Sequence, residues 1–108
     1  MLLSTDVWVS GLIRRAELSG AYATVVKKGD ARAGTVIVKA YDTSNRTARL
    51  FSAVTGQDGE LQWLQPVTSD VESELDAYIE RQRRYDPDLW VVEIEDREGR
   101  HFLQEKVQ

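Results

Sequence analysis

The chain has 108 residues, of which 42% are hydrophobic and 30% are charged, and its formal net charge is −4. This length predicts one domain over residues 1–108 with a buried core, and the composition excludes a disordered or collagen-like chain. The lack of cysteine excludes disulfides and cysteine-ligated metal sites, and the acidic balance disfavours nucleic acid as a partner. Because no secretory signal or 18-residue apolar run is visible, we expect a cytoplasmic protein without a membrane partner.

The first periodic segment predicts a helix near the N-terminus. Its apolar residues recur at the i, i+3, i+4, i+7 spacing of one helix face; they are Val9, Leu12, Ile13 and Ala16. Thr5 or Asp6 can cap the start of this helix, and Gly20 can end it in the left-handed conformation.

Four strand-like runs follow the first helix, at residues 21–28, 34–41, 47–54 and 60–65. They are rich in β-branched and aromatic residues, and clusters of Gly, Asp and Asn separate them. This spacing of turns predicts an antiparallel meander in which consecutive strands are neighbours.

The rest of the chain predicts a second helix and a closing hairpin. Ser69 and Glu72 have the spacing of a capping box, and Asp86-Pro87 ends the helix because a residue before proline avoids helical geometry. Residues 89–95 and 101–106 are then predicted to pair as a hairpin. The element order is α-β-β-β-β-α-β-β, which predicts an α+β fold with a mostly antiparallel sheet of four to six strands and two helices.

Two stretches of the chain resemble a known family. They contain Arg14-Arg15, Gly29-Asp30 and the pattern Asp86-Pro87-Asp88-x-Trp90-x-x-Glu93. Both look like a small bacterial family named domain of unknown function 1491, with a weaker likeness over residues 41–70. The resemblance implies a single small α+β domain of bacterial origin, and it brings no established activity, cofactor, partner or catalytic residue.

The densest group of candidate ligand residues is acidic. It consists of Asp86, Asp88, Glu93 and Glu95. Glu93 and Glu95 alternate onto one strand face about 7 Å apart, so they could raise each other's pKa or hold Mg²⁺ or Ca²⁺. The alternative is a solvated strand face, with Asp86 and Asp88 serving as a helix stop.

A second group of candidates would contact a partner. It consists of Trp8, Arg14, Arg15, Arg81, Arg83 and Arg84. Guanidinium groups suit phosphates and carboxylates, and aromatic side chains anchor interfaces. The alternatives are macrodipole compensation for the arginines at the end of the second helix and a core position for Trp8.

The sequence contains no catalytic signature, since both a phosphate-binding loop and a nucleophile elbow are missing. We therefore expect a small non-enzymatic protein–protein interaction or adaptor module of a bacterial cytoplasm, with no cofactor or metal and an unidentified protein partner. An unpaired strand edge would also allow a homodimer. The alternative is a small enzyme or a metal- or ligand-binding domain that uses the carboxylates between Asp86 and Glu95.

Overall fold

The computed structural model describes residues 3–108, which form two helices and six strands. The elements in chain order are α1 (Thr5–Leu18), β1 (Tyr22–Lys27), β2 (Val36–Asp42), β3 (Thr47–Thr55), β4 (Leu61–Leu64), α2 (Glu72–Tyr85), β5 (Trp90–Asp96) and β6 (Lys106–Val107). The predicted α+β class, the two helices and the element order are confirmed.

Within residues 3–108, the strands form one mixed sheet in the order β1-β5-β2-β3-β4-β6. The pairs β1–β5, β2–β3 and β3–β4 are antiparallel, and the pairs β2–β5 and β4–β6 are parallel. The predicted meander therefore holds for β2, β3 and β4. It is wrong for β1, which is separated from β2 by β5.

The burial of β5 explains why this strand, and not β1, lies next to β2. Four of the first five residues of β5 are buried, and they point alternately to both faces of the sheet. A strand that is apolar on both faces is stabilised most at the centre of a sheet. Strand β1 instead alternates exposed and half-buried residues, which suits the edge.

Two glycines allow this insertion. A Cβ atom on Gly29 would lie 2.1 Å from the carbonyl oxygen of Asp88, and one on Gly34 would lie 2.4 Å from the same oxygen. The loop between β1 and β2 thus passes directly over the chain that enters β5, where Trp90 Nε1 donates a 2.7 Å hydrogen bond to the carbonyl of Asp30.

The predicted closing hairpin is wrong. Strand β5 ends at Asp96, and residues 97–105, which we call the C-terminal strap, run irregularly to β6 beside β4. Side chains replace the expected ladder, because Trp8 Nε1 and Trp63 Nε1 donate to the two carboxylate oxygens of Glu105 at 3.2 and 3.1 Å. The guanidinium of Arg15 donates to the carbonyl of Phe102.

The two helices lie on opposite faces of the sheet. Helix α1 packs through its predicted stripe, with Val9, Leu12 and Ala16 buried against one face. Helix α2 packs on the other face through Leu75 and Ile79. The predicted end of α2 at Asp86 is confirmed, but the capping box is not formed.

The start of α2 explains the missing box. The residue at the cap position is Val71, with no side-chain cap hydrogen bond. Ser69 lies two residues earlier, and its hydroxyl accepts a 3.1 Å hydrogen bond from the Val71 amide, so the serine orders the approach to the helix instead.

Candidate functional site

In the described part of the chain, the β1 edge of the sheet face that carries α2 has no helix over it. The buried residues of α2 contact side chains of β2, β3 and β5, whereas β1 lies beyond the helix. Paired residues share a face, and the pairs Tyr22–Glu95 and Thr24–Glu93 lie on the α2 side, since Val92 and Ile94 point to the α1 core.

We call this surface the acidic shelf. Its floor consists of Tyr22, Thr24, Glu93 and Glu95, and its wall consists of Glu72 and Asp76 on α2. Tyr22, Thr24 and Glu95 are exposed, and Glu93 is partly buried. The shelf is therefore an exposed surface bounded by a helix on one side and a strand edge on the other.

A buried lysine joins the floor of the shelf to its wall. Lys39 of β2 is 3% exposed, and its Nζ lies 2.6 Å from Glu72 Oε2, 2.8 Å from Asp76 Oδ1 and 3.6 Å from Glu93 Oε2. Burial acts to lower the pKa of Lys39, but the hydrogen bonds with Asp76 and Glu72 leave it above its ordinary value. The ammonium is thus fully charged at neutral pH and fixes the start of α2 to the sheet.

The carboxyl group of Glu93 has a raised pKa. Burial raises its pKa above the ordinary value, the charge of Lys39 opposes that rise, and the neighbouring Glu95 adds to it. The described floor and wall of the shelf carry four carboxylates and the single ammonium of Lys39, which leaves a formal charge of −3. The shelf therefore favours a cation.

Two tyrosines flank Glu95 in the same row of the sheet. Tyr22 pairs with Glu95 on one side, and Tyr41 pairs with it on the other. Tyr22 is 65% exposed and Tyr41 is partly buried. An aromatic face next to a carboxylate binds guanidinium and ammonium groups through cation–π contact and charge together.

Two cationic side chains lie toward the opposite end of the shelf. Lys27 Nζ donates to the carbonyls of Pro87 at 2.7 Å and Leu89 at 2.9 Å. Arg83 lies on the same side of α2 as Asp76, seven residues earlier, and pairs with Glu80 at 3.1 Å. Because Glu80 and the carboxylates of the turn after α2 lie near these two cations, the excess of negative charge on the shelf is concentrated around Glu93 and Glu95.

The structure divides the four predicted carboxylates. Glu93 and Glu95 share the shelf floor, as predicted from strand alternation. Asp86 and Asp88 lie in the turn that follows α2, where Asp86 Oδ1 accepts a 3.0 Å hydrogen bond from the Asp88 amide. Within residues 3–108, we find no group of three or more His, Asp or Glu side chains placed to hold a metal ion.

The predicted arginines do not form one surface, because the sheet separates α1 from α2. On α1, Arg14 is exposed and Arg15 is bound to the strap. On α2, the guanidinium of Arg81 lies 5.9 Å from the ring centre of Tyr78. Of the two others on that helix, Arg83 is partly buried and pairs with Glu80, and Arg84 is exposed.

Trp8 occupies the core instead of a partner-binding surface. It is 6% exposed, and its ring lies 5.2 Å from that of Trp63. Its indole nitrogen is bound by Glu105, so neither its apolar face nor its donor is free for a partner. The prediction of Trp8 as a contact residue is therefore corrected to the core alternative.

The sequence did not identify the residues that surround Glu93 and Glu95 on the shelf. Lys39 gave a usable signal, because it is a lone charge inside the apolar run Val36–Ala40. Tyr22, by contrast, gave none, since its position beside Glu95 depends on the pairing of β1 with β5.

Comparisons with known proteins give a consistent family assignment. Residues 3–104 match the family described as "Protein of unknown function (DUF1491)". No curated protein sequence matches the chain significantly. Within the described part of the chain, no helix has the length and apolarity needed to cross a membrane.

Three solved structures are similar to this chain. A crystal structure of a DUF1491 family protein from Caulobacter crescentus is 67% identical with a TM-score of 0.96, covering 99% of this chain and 100% of its own. An NMR structure of a family protein from the same organism is 68% identical with a TM-score of 0.93, covering 100% and 98%. The A. tumefaciens protein Atu0922 is 33% identical with a TM-score of 0.77, covering 89% and 87%. The chain belongs to the DUF1491 family of proteins of unknown function.

Proposed function

We propose that this protein is a non-enzymatic protein–protein interaction module of the bacterial cytoplasm, and that the acidic shelf is its docking surface. The observation that carries the proposal is the uncovered edge of the sheet face beside α2, formed by β1 and the end of β5. There, exposed Tyr22 and Thr24 lie next to Glu93 and Glu95. A partly apolar surface with unbalanced charge supports recognition of a complementary partner.

The ion pairs that fix α2 beside the shelf also support a binding role. A buried ion pair adds little stability compared with apolar residues of the same volume. The bonds from Lys39 to Glu72 and Asp76 nevertheless anchor α2 beside the floor of the shelf. A docking surface gains affinity when its walls are fixed before the partner arrives.

A second candidate function uses the same carboxylates as a site for a small cationic ligand or substrate. The observation in its favour is the raised pKa of Glu93, which results mainly from burial. Carboxyl groups with raised pKa values are common in active sites. The two candidates differ in the size of the bound molecule.

Co-purification from the bacterial host tests the proposed function. The tagged protein is compared with Thr24→Arg, which places a long side chain on the shelf floor. A matched control, Thr55→Arg, alters an exposed threonine at the end of β3, away from the shelf. We expect a stoichiometric protein partner with the wild type and the control, and its loss with Thr24→Arg.

Two outcomes would contradict the proposed function. One is a partner retained equally by both variants, which would place the docking surface elsewhere. The other is recovery of the protein alone, accompanied by binding of a small cation that Thr24→Arg abolishes, which would favour the second candidate. Thermal denaturation verifies that both variants fold.

A further inference from the structure

The width of the acidic shelf limits what can occupy it. Adjacent strands lie about 4.8 Å apart, so the two-strand floor of β1 and β5 spans roughly 10 Å. An α-helix with its side chains has a diameter of about 10 Å. Since α2 already contacts Val91 of β5, the uncovered floor is at most as wide as one helix lying beside α2.

The free edge of β1 is less suited to binding a partner. The pairing of β1 with β5 shifts register between Val25 and Lys27, which marks a bulge. Lys27 and Lys28 follow at this end of the strand. Bulges and lysines are the devices by which edge strands resist pairing with another strand. A helix on the face thus fits this structure better than a strand added at its edge.

The charges of the shelf determine the chemistry of that helix. At the end formed by Glu93 and Glu95, the described carboxylates of the shelf outnumber the one ammonium of Lys39, which contacts Glu72, Asp76 and Glu93. At the other end, Lys27 binds backbone carbonyls and Arg83 pairs with Glu80. Glu95 sits between two tyrosines in its row of the sheet. A cationic side chain placed there would meet two aromatic rings and two carboxylates.

We propose that the occupant of the acidic shelf is a basic amphipathic helix of a partner protein, with an arginine placed over Glu95 between Tyr22 and Tyr41. This inference rests on the proposed function, because it names the kind of partner that the same surface takes. The excess of carboxylates at one end of the shelf sets where the basic residues of the partner helix lie, which is over Glu93 and Glu95.

Titration with two synthetic peptides tests the inference. Both are amphipathic helices of about 14 residues; one carries arginine on its polar face and its twin carries glutamate. Binding is followed by heteronuclear NMR, which reports the residues that are perturbed. We expect the arginine peptide to perturb Tyr22, Thr24 and Glu95 in a salt-dependent manner, and the glutamate peptide to leave them unchanged.

Matched variants separate shelf binding from attraction to an acidic protein. The double variant Glu93→Gln/Glu95→Gln removes two charges from the shelf. The control Glu17→Gln/Glu74→Gln removes two exposed charges outside the shelf. We expect about a tenfold or larger loss of arginine-peptide affinity in the first and less than about a twofold loss in the second.

Equal losses of arginine-peptide affinity in the two double variants would overturn the inference. So would NMR perturbations at residues outside the shelf, or equal affinity for the arginine and glutamate peptides. Its failure can be told apart from failure of the proposed function. If Thr24→Arg releases the co-purified partner but Glu93→Gln/Glu95→Gln does not, the docking surface stands and the basic helix is wrong. A second copy of this chain as the co-purified species would also contradict the inference.

Discussion

Replacing Asp96 by asparagine should destabilise the protein in a pH-dependent way. Asp96 ends β5 and is 5% exposed. Its Oδ2 accepts hydrogen bonds from the backbone amides of Glu98 at 3.2 Å and Arg100 at 2.9 Å. The Arg100 guanidinium donates to both carboxylate oxygens, at 2.9 and 3.0 Å. These bonds hold the turn from which the C-terminal strap begins.

The magnitude follows from the acidity of this carboxyl group. The hydrogen bond from Arg100 is the largest cause that lowers the pKa of Asp96, from 3.8 to about 2. This lowering of the pKa of Asp96 corresponds to at most about 2.5 kcal/mol of folding free energy. Since Arg100 is partly in solvent and asparagine retains an acceptor for the amides, we expect Asp96→Asn to cost about 1–2 kcal/mol. The melting temperature should fall by roughly 5–10 °C at pH 7.

The sign of the pH dependence is fixed by the lowered pKa of Asp96. The stabilisation is present above the unfolded-state pKa of about 3.8 and is lost as pH falls toward about 2. Urea denaturation of the wild type and Asp96→Asn across this range measures the difference. Asp70→Asn is the control, because Asp70 is exposed and its removal changes the net charge equally. A stability difference that does not narrow on acidification, or one no larger than the control's, would refute the reasoning.

Three further predictions concern other parts of the chain. Glu93→Gln should raise the melting temperature at pH 7, because burial raises the pKa of Glu93 and so disfavours its charged form in the folded protein. The gain in melting temperature should vanish below about pH 4, where residue 93 is protonated in the unfolded chain as well, and an unchanged gain there would contradict the prediction. Glu105→Gln should lower the free energy of unfolding by about 1–2 kcal/mol in chemical denaturation, because the one amide oxygen of glutamine replaces two carboxylate oxygens that accept from Trp8 and Trp63. Indole N–H signals of Trp8 and Trp63 that both stay unshifted in NMR spectra would contradict this prediction. Gly34→Ala should lower the free energy of unfolding by about 1–3 kcal/mol, because the added Cβ would overlap the carbonyl oxygen of Asp88. A variant as stable as the wild type in thermal denaturation would contradict this close contact.

The parts of the fold that the sequence predicted are those set by local periodicity. The stripe of α1, the end of α2 before Pro87 and the β2–β3–β4 meander all follow from side-chain spacing and turn residues. The position of β5 between β1 and β2 could not be predicted in the same way. It depends on contacts between distant segments, above all the close approach of Gly29 and Gly34 to Asp88.

The candidate site shows the same division. Strand alternation alone placed Glu93 and Glu95 on one face, as the structure has them. Their neighbours could not be derived from the sequence, because Tyr22, Lys39 and α2 reach the glutamates only through the order of the strands. The interpretation of Trp8 failed for a related reason: its hydrogen-bond acceptor is Glu105, a residue of the strap that was predicted to be a strand.

Site-specific photo-crosslinking in the bacterial host tests the docking role of the acidic shelf most directly. A photoreactive amino acid replaces Thr24 on the shelf floor or, as the control, Glu17 on the exposed side of α1 across the sheet. The proposed function predicts a discrete adduct with one partner protein from position 24 and none from position 17. The same adduct from both positions, or no protein adduct from position 24, would contradict it.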